Sequence, residues 1–285
     1  MTDATAAGSN NKTTTTAADD MKGSIQAAAA AHRIVVFSGA GMSADSGIGT
    51  FRGQGGAWSG LWGKLALLWG GTPIGWKWTP GYVWKRYVLE FNTPIKQAQP
   101  HAGYQALEQW RQQGNYKSFT YITMNVDGLH QTSGASQAQV AEVHGSVLRY
   151  RCMMCQKKIV LTGDLDPYKQ PRCEECQGRV RPDVTLFTES LPIDEWGKAC
   201  RFIEELRAGD VLVVAGTSSV VYPAASLPEH ASAKGITVIE FNYEFPTPLS
   251  SIASFTIVGR AAETLPRFTK GVLEELASKR KGNES

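Results

Sequence analysis

Short apolar runs that alternate with segments of helical periodicity constrain this fold more than any other feature of the sequence. The first run begins at Arg33 and leads directly into Gly39, and four more follow at 118–123, 210–215, 237–241 and 254–258. Helical patterns lie between most of them, at 101–113, 196–208 and 223–234. Continuous apolar runs of this length are typical of buried strands, and strands that alternate with helices form a parallel sheet. The pattern therefore predicts a Rossmann-like α/β domain with helices on both faces of the sheet.

Composition excludes several classes of protein. The chain has 285 residues, of which 42% are hydrophobic, so it can bury a sizeable core without disulfides. Its net charge is only +3 and no segment forms a dense basic stripe, so we expect no direct nucleic-acid partner. No apolar run approaches the roughly 18 residues that would span a bilayer, so we expect no transmembrane segment. What remains is a folded protein, which we expect to be an enzyme and whose oligomeric state the sequence does not specify.

Two segments interrupt the strand–helix alternation. Residues 53–99 are rich in Gly and Trp, and residues 150–180 contain four cysteines. We assign both segments to one smaller, zinc-binding domain. The Rossmann-like domain then comprises residues 23–52, 100–149 and 181–275.

The amino-terminal segment has a different composition. Residues 1–22 contain almost no large apolar side chain, so they are predicted to be a disordered tail. Acidic residues and the absence of Arg argue against a transit peptide, and no secretory signal is apparent. We therefore expect an intracellular protein, cytoplasmic or nuclear rather than mitochondrial.

Four cysteines are spaced as C-x2-C-x17-C-x2-C, namely Cys152, Cys155, Cys173 and Cys176. This spacing is typical of a zinc site with four thiolate ligands, and the alternative is two disulfides. A reducing intracellular compartment favours the metal. Four protein ligands leave no open position, so the zinc is expected to be structural.

A glycine-rich turn follows the first predicted strand. It fits the pattern G-x-G-x-x-A at Gly39, Ala40, Gly41, Ser43 and Ala44. Glycines in this position let the backbone approach a pyrophosphate, so the turn predicts a dinucleotide site.

The sequence after this turn is unlike that of an NAD dehydrogenase. Such enzymes place an acidic residue about 20 positions further on, to bind the ribose hydroxyls. Here no acidic residue occurs between Asp45 and Glu90. A glycine-rich flap that carries Phe51 and Arg52 follows instead.

An ordered set of motifs runs through the chain: Gly39-Ala-Gly-Met-Ser-Ala-Asp-Ser-Gly-Ile with a following Phe-Arg pair, Thr123-Met-Asn-Val-Asp127, Glu142-Val-His-Gly145, the two cysteine pairs, Gly216-Thr-Ser-Ser-Val-Val-Tyr-Pro-Ala-Ala and Asn242-Tyr-Glu244. Together they resemble the sirtuin family of NAD-dependent protein deacylases. The resemblance covers about residues 24–270 and is closest to class III sirtuins. It implies a transferase-class reaction in which NAD and an acyl-lysine protein or peptide give nicotinamide, deacylated lysine and acyl-ADP-ribose.

The resemblance also implies roles for individual residues. His144 would be the general base, since a histidine titrates near neutral pH. Asn125 would act with it in catalysis, and Asn125 and Asp127 would line the nicotinamide pocket. Phe51 would shield the reacting ribose and Arg52 would contact ribose or phosphate.

Further NAD contacts are implied at the ends of later strands, where Gly216, Thr217 and Ser218 would bind phosphate or ribose. Asn242 and Glu244 would bind the adenosine ribose, and Ala261 would adjoin the adenine. The substrate peptide would add a strand between segments 184–189 and 220–223, in contact with Phe187, Val220 and Tyr222.

Some residues depart from the family pattern. Met124 replaces a glutamine of the NAD pocket, which removes a polar contact, and Thr188 replaces a glycine beside the substrate strand. Class III members bind acidic acyl groups with a Tyr-x-x-Arg motif, whereas this chain has Tyr87 followed by Glu90. We expect Arg86 to point elsewhere on the helix, so that Glu90 repels succinyl groups and neutral acyl groups are preferred.

Two questions stay open at this level. Because Met124 weakens the match, an NAD-consuming ADP-ribosyltransferase or NAD hydrolase, or a nucleotide sensor with little turnover, remains an alternative to the deacylase. The second concerns residues 58–84, which contain six of the eight tryptophans together with lysines and no acid. This segment is either core of the small domain, an apolar acyl channel or a membrane-surface patch.

Overall fold

A computed structural model of the chain describes residues 17–49 and 69–283. Its strands are β1 (Arg33–Ser38), β2 (Ser118–Thr123), β3 (Val140–Glu142), β4 (Gly145–Cys152), β5 (Lys158–Ile159), β6 (Val180–Val184), β7 (Val211–Ala215), β8 (Thr237–Asn242) and β9 (Phe255–Val258). Its α-helices are α1 (Ala17–Ala30), α2 (Ala40–Ser43), α3 (Pro73–Trp78), α4 (Pro80–Tyr87), α5 (Thr93–Gln97), α6 (Ala102–Gln113), α7 (Leu129–Thr132), α8 (Ile193–Glu204), α9 (Ser226–Ala233) and α10 (Ala261–Asn283). A π-helical turn, Val88–Asn92, joins α4 to α5.

The larger sheet is parallel and has the strand order β3-β2-β1-β7-β8-β9. The five predicted strands form its centre and one edge, so the prediction of a parallel α/β sheet is confirmed. The short strand β3 was not predicted, because three residues carry too little pattern to identify a strand. The chain reverses its direction of travel across the sheet between β1 and β7, which is where ligands bind in sheets of this kind.

Side chains of β1 alternate between two cores. Ile34 and Val36 pack with residues of α1, α6 and α10 on one face. Val35 and Phe37 pack with residues of α8 and α9 on the other face. Because successive side chains of a strand point to opposite faces, an unbroken apolar run is what a strand between two helical layers requires.

The predicted disordered tail is partly wrong. Helix α1 begins at Ala17, so residues 17–22 are helical, while residues 1–16 lie outside the described part of the chain. Met21 packs against the core, and the carboxylate of Asp20 accepts a 3.3 Å hydrogen bond from the backbone N–H of Thr256. The packing of Met21 and the hydrogen bond between Asp20 and β9 thus attach this first part of α1 to the rest of the domain.

A smaller antiparallel sheet has the order β5-β4-β6. Its side chains share one core with the helical segment 73–97, in which Trp84 and Tyr87 meet Val147 and Val180. Two predicted boundaries are wrong, because β4 crosses the limit set at 149/150 and β6 crosses the limit set at 180/181. Residues 53–68 of the predicted small domain lie outside the described residues.

Over residues 17–49 and 69–283, no helix combines the length and the apolar character that crossing a bilayer requires.

Candidate active site and zinc module

The glycine turn joins the carboxyl ends of β1 and β7. The backbone N–H of Gly39 donates to Ala215 O at 3.0 Å, and that of Gly41 donates to Gly216 O at 2.8 Å. A Cβ atom at Gly41 would lie 2.9 Å from Gly216 O, and Gly216 itself has a φ of +62°. Since only glycine tolerates both the close approach and the positive φ, the sequence pattern makes this backbone cradle possible.

Helix α6 holds the turn through His101. The ring Nε2 of His101 lies 2.6 Å from Met42 O, and its Nδ1 accepts a 2.9 Å hydrogen bond from the backbone N–H of Gly103. A carbonyl oxygen only accepts, so Nε2 carries the proton and Nδ1 does not. His101 therefore caps α6 and ties it to the turn.

Ser43 is the centre of a buried polar network. Its hydroxyl donates to Asp127 Oδ2 at 2.6 Å and accepts from Asn125 Nδ2 at 2.8 Å. The phenol of Tyr104 lies 2.8 Å from the same oxygen. The single Ser43 proton goes to the carboxylate, so Tyr104 must donate. Burial raises the pKa of Tyr104, which keeps the phenol protonated.

Asp127 is held as an acceptor on both of its oxygens. In addition to Ser43, the backbone N–H of Leu129 donates to Asp127 Oδ1 at 2.9 Å. Burial raises the pKa of this carboxyl group, and the two hydrogen bonds oppose that effect. Asn125 is fixed in the same way, since its Nδ2 also donates to Gly39 O at 2.9 Å. The network thus attaches the loop after β2 to the glycine turn after β1.

His144 lies where β3 ends and β4 begins. Its Nδ1 is 3.0 Å from Met124 O, so Nδ1 carries the proton and donates, and Nε2 keeps its lone pair. Burial lowers the pKa of His144, with the bond to Met124 acting in the opposite direction. The ring is therefore neutral at physiological pH, and Nε2 can accept a proton.

Met124 contributes its backbone to this arrangement. Its side chain packs against the core on the α8 and α9 face of the sheet. The bond to His144 uses only the carbonyl oxygen.

His130 also lies close to this network, and it differs from His144. It is 3% exposed, and its Nε2 is 2.9 Å from the hydroxyl of Ser38. Burial lowers the pKa of His130 to about 3. The ring also packs edge-on against Tyr104. His130 is thus a neutral part of the framework behind the network.

The loops after β7 and β8 lie side by side at the same edge of the sheet. Asn242 Nδ2 donates to Thr217 O at 2.8 Å, and Asn242 Oδ1 accepts from the backbone N–H of Glu244 at 3.2 Å. Ser218 and Glu244 are exposed.

Ser219 has two unusual features in this loop. Its φ is +46°, and its hydroxyl is buried without a hydrogen-bond partner among the described residues. Such a group is normally satisfied by a ligand or water. Together with the glycine cradle, which a Cβ atom would fill, this orphaned hydroxyl fits a bound dinucleotide.

Ala261 begins α10 and is buried. The preceding Arg260 forms an ion pair with Asp45, in which Nε lies 2.9 Å from the carboxylate oxygen. The backbone N–H of Ala262 also donates to Asp45. These contacts place the start of α10 against the end of the glycine turn.

The four predicted metal ligands converge. The Sγ atoms of Cys152, Cys155, Cys173 and Cys176 all lie within 4.8 Å of one another. The separation is 3.4 Å between Cys152 and Cys176 and 3.7 Å between Cys155 and Cys173. Sulfurs about 2.3 Å from a tetrahedral zinc ion are about 3.8 Å apart, so the cluster fits zinc.

The two cysteine knuckles have the same backbone geometry. The backbone N–H of Cys152 donates to Lys157 O at 2.9 Å, and that of Cys173 donates to Gly178 O at 2.8 Å. In each knuckle the residue after the second cysteine has a positive φ, 60° at Gln156 and 58° at Gln177. Each C-x2-C pair therefore closes a tight turn that aims both sulfurs inward.

The predicted substrate residues fall into two groups. Phe187, Val220 and Tyr222 are exposed large hydrophobic side chains, as a peptide-binding surface requires. The backbone N–H of Thr185 donates to His144 O at 2.9 Å, so the segment that leads to Phe187 is bonded to the histidine.

The side chains of Tyr87 and Glu90 do not lie in one pocket. Tyr87 is buried in the small-domain core and donates to Val147 O at 2.5 Å, whereas Glu90 is exposed. The expectation that Arg86 points away from Glu90 is wrong. Positions i and i+4 of a helix are neighbours, and Arg86 Nε lies 2.8 Å from Glu90 Oε1. The predicted flap residues Phe51 and Arg52 lie outside the described residues.

Tyr104 and Ser38 are parts of the site that the sequence did not indicate. The hydrogen-bond partner of Tyr104 lies 61 positions away along the chain, and that of Ser38 lies 92 positions away. No local motif marks either residue. The one available signal was that both belong to elements next to predicted site segments.

These features define a nucleotide-binding α/β enzyme with a zinc module. The comparisons with known proteins identify it further: a model described as "Sir2 family" matches residues 39–223, and the chain belongs to that family. The predicted resemblance to sirtuins is thereby confirmed.

Named relatives and solved structures agree with this assignment. The chain is 39% identical to "NAD-dependent protein deacylase 2" of Pyrobaculum aerophilum over 251 residues, which cover 88% of this chain and 95% of the relative. It is 35% identical to "NAD-dependent protein deacylase" of Corynebacterium glutamicum, over 87% of this chain and 95% of that one. A crystal structure of a Sir2 homologue–NAD complex matches with a TM-score of 0.79 and 35% identity, over 90% of this chain and 94% of the other. A Sir2–p53 peptide–NAD+ complex matches with a TM-score of 0.71 and 28% identity, over 90% and 99% of the two chains.

Proposed function

We propose that this protein is an NAD-dependent protein lysine deacylase that converts NAD and an acyl-lysine substrate into nicotinamide, deacylated lysine and O-acyl-ADP-ribose. Family membership and the names of the relatives support the activity. The observation that carries the proposal within this chain is the neutral His144 ring. Its Nδ1 is bonded to the backbone of Met124, the residue next to Asn125 of the buried Ser43–Asn125–Asp127 network, and its Nε2 has no hydrogen-bond partner among the described residues.

NAD would be held along this edge of the sheet. Gly39, Ala40, Gly41, Ser43 and Ala44 would pass close to the pyrophosphate. The loop after β7 would add contacts from Gly216, Thr217 and Ser218, next to the orphaned hydroxyl of Ser219. Asn242, Glu244 and Ala261 would contact the adenosine end. The chemistry that NAD supplies is an activated glycosidic bond to nicotinamide.

Asn125 and Asp127 would bind the nicotinamide end. Both hydrogens of the Asn125 amide are used, toward Gly39 O and Ser43 Oγ, which leaves the carboxamide oxygen for a ligand. Asp127 accepts two hydrogen bonds, and its burial disfavours the charged form of the carboxyl group. A carboxyl group in this setting gains from a further donor such as a carboxamide N–H. Met124 would be the neighbour that contributes no polar side-chain contact.

His144 would act as the general base. Its proton-bearing Nδ1 is anchored on a backbone carbonyl, so the ring cannot rotate without losing that bond. Nε2 is then the only nitrogen that can take a proton from a ribose hydroxyl. A base whose pKa lies below neutrality is fully available at physiological pH, at the cost of lower basicity.

The acylated peptide would lie between the loop at Phe187 and the loop at Val220 and Tyr222. Extended peptides bind well to exposed backbone, since hydrogen bonds to the main chain tolerate many side chains. The exposed apolar side chains of both loops support this position. Zinc on the four cysteines would stabilise the small domain and take no part in the chemistry, because four thiolates leave no site for a substrate. We place the protein inside the cell.

We further propose that neutral acyl groups are preferred. The sequence suggested that the Glu90 carboxylate would repel an acidic acyl group. The ion pair between Glu90 and Arg86 weakens that repulsion. A different reason remains: Arg86 already donates to both carboxylate oxygens of Glu90 and to the phenol of Tyr82. An acidic acyl group would have to displace Glu90 from this guanidinium.

One incubation separates the candidate functions. Purified protein is mixed with NAD and an acetyl-lysine peptide, and the products are separated by mass spectrometry. A deacylase gives nicotinamide and acyl-ADP-ribose in equal amounts. Label transfer from NAD to protein would identify an ADP-ribosyltransferase, free ADP-ribose an NAD hydrolase, and no release of nicotinamide a nucleotide sensor. Each of the last three results would contradict the proposal.

A further inference from the structure

Helices α3 and α4 are apolar on two opposite sides. Their inner side, which includes Trp76, Val83 and Trp84, is buried in the small-domain core. The outer side of these helices and of the π-helical turn after α4 carries large apolar residues that are exposed to solvent: Trp78 is 72% exposed, Ile74 56%, Tyr82 52% and Leu89 49%. An exposed apolar surface that adjoins polar residues commonly marks a site of interaction with protein or with a membrane. We call this outer surface the aromatic face.

The residues of the aromatic face lie in one stripe. Ile74 and Trp78 are four residues apart in α3, which places them on neighbouring turns, and Tyr82 lies in the first turn of α4, beyond the non-helical residue Thr79. Hydrogen bonds continue across the junction of the two helices, from Thr79 N to Gly75 O at 2.9 Å and from Val83 N to Thr79 O at 3.0 Å. Leu89 follows Tyr82 by seven positions, which is two further turns.

Basic groups border this stripe. Lys77 is exposed and lies 6.0 Å from the centre of the Trp78 ring. Lys85 lies 4.7 Å from the ring centre of Tyr168, which is itself 78% exposed. Glu90 is the only acidic residue from 69 to 97, and Arg86 neutralises it. Within the described residues, neither lysine forms an ion pair with a carboxylate, and segment 69–97, which supplies the face, carries net positive charge.

We propose that the aromatic face binds the surface of a membrane that contains anionic lipids. Tryptophan and tyrosine favour the boundary between lipid headgroups and acyl chains, where an apolar ring and a polar edge are both satisfied. Lysines beside such a patch are attracted by the negative surface potential of anionic lipids. The face matches that boundary in both respects. A protein partner fits less well, because lysine is depleted in protein interfaces.

This attachment would be peripheral and reversible. The buried area is limited to a stripe on two short helices, so the lipid headgroups supply much of the attraction and salt should weaken it. The loop at Phe187 is bonded to the residues just before α3, since the backbone N–H of Phe187 donates to Gly71 O at 2.7 Å. A docked molecule would therefore present the surface around Phe187 near the membrane.

The test is co-sedimentation of the full chain with vesicles of phosphatidylcholine alone and of phosphatidylcholine mixed with phosphatidylglycerol. Binding to the anionic vesicles is expected, with little binding to the neutral ones and a decline as salt is raised. Trp78→Ser and the double variant Lys77→Glu, Lys85→Glu should each weaken binding by about tenfold or more. Val160→Ser is the matched control, because Val160 is exposed in the same domain but far along the chain from the stripe.

Three outcomes would overturn the proposal. One is that the wild-type protein sediments no more with anionic than with neutral vesicles. Another is that the face variants bind as well as Val160→Ser. The third is that the wild type is a dimer in solution which Trp78→Ser dissociates, since the face would then bind a second copy of the chain. Circular dichroism and thermal melting establish that each variant is folded, and none of these outcomes depends on catalysis.

Discussion

The Nδ1–H of His144 donates a 3.0 Å hydrogen bond to the backbone carbonyl oxygen of Met124. This bond determines which nitrogen of the ring can act as a base, and it does so without the Met124 side chain. The glutamine that the resemblance leads us to expect at this position is therefore not needed to orient the histidine. If Met124 lowers activity, we expect the cause to be a missing side-chain contact to NAD, since the position of His144 does not depend on that side chain.

Replacement of His144 by alanine should abolish acyl transfer and preserve NAD binding. The substitution removes the proposed base, and general bases contribute about 10²–10⁴-fold to rate. The glycine turn and the Asn242 loop keep their contacts, so the Kd for NAD should change little. Turnover of an acetyl-lysine peptide and calorimetric titration with NAD measure the two effects. His32→Ala is the control, because His32 is exposed before β1; near-normal turnover by His144→Ala would refute the assigned role.

The pH profile should reflect the partly buried position of His144. A base works when it is unprotonated, and burial lowers the pKa of this ring from its ordinary value of 6.5. Activity should therefore persist as the pH falls through 6.5 and decline only below it. We expect the acidic limb of kcat/KM to lie below the value for an exposed histidine. An acidic limb above pH 7 would mean that another group titrates.

The parallel sheet could be predicted because its central strands are buried on both faces. The runs that became β1, β2, β7, β8 and β9 are unbroken in apolar character, which distinguishes them from the amphipathic segments between them. The glycine turn, the His144 segment and the cysteine pairs were also recognisable, since each is a local pattern. The boundary predicted before the zinc module was wrong, because β4 begins at Gly145, well before the first cysteine.

Contacts between distant segments could not be predicted in this way. The phenol of Tyr104 donates to Ser43 from a helix that carries no motif of its own. The side chains of Tyr87 and Glu90 diverge because one is captured by Val147 O and the other by Arg86. Motif spacing alone implied that they share a pocket. Packing against the small sheet decides this, and packing is not visible in the spacing.

One zinc ion per chain should be found in protein purified without chelator. Cys173→Ser should lose the metal and lower the melting temperature, because structural metal binding is coupled to folding. Cys200→Ser is the matched control, since Cys200 lies on α8 outside the cluster and should keep its zinc. Elemental analysis measures the metal content, and thermal melting measures stability. Wild-type protein that contains no zinc, or Cys173→Ser protein that retains it, would contradict the assignment.

Thr188→Gly should stabilise the protein. Thr188 has a φ of +76° and is exposed, so its β-branched side chain strains the backbone without packing in return. Release of this strain contributes about 1–2 kcal/mol, and the greater freedom of glycine in the unfolded chain removes about 0.5–1 kcal/mol of that gain. We expect a net increase of about 0.5–1 kcal/mol in the free energy of unfolding by urea. Thr185→Gly, three positions earlier, lacks a positive φ and should instead destabilise; equal effects of the two changes would argue against strain at Thr188.

The kcat/KM for acetyl-lysine should exceed that for succinyl-lysine by about tenfold or more. This is about the effect of losing one hydrogen bond to a charged group. The guanidinium of Arg86 is held by Glu90 at 2.8 Å and by Tyr82 at 3.3 Å, so an acidic acyl group meets a basic side chain that is already neutralised. Glu90→Gln removes the competing carboxylate and should raise kcat/KM for succinyl-lysine, while kcat/KM for acetyl-lysine stays the same. Glu174→Gln makes the same change of charge at an exposed position in the zinc module and should alter neither value. Matched acetyl and succinyl versions of one peptide provide the measurement. A wild-type preference for succinyl-lysine would mean that a different basic group binds the acyl chain.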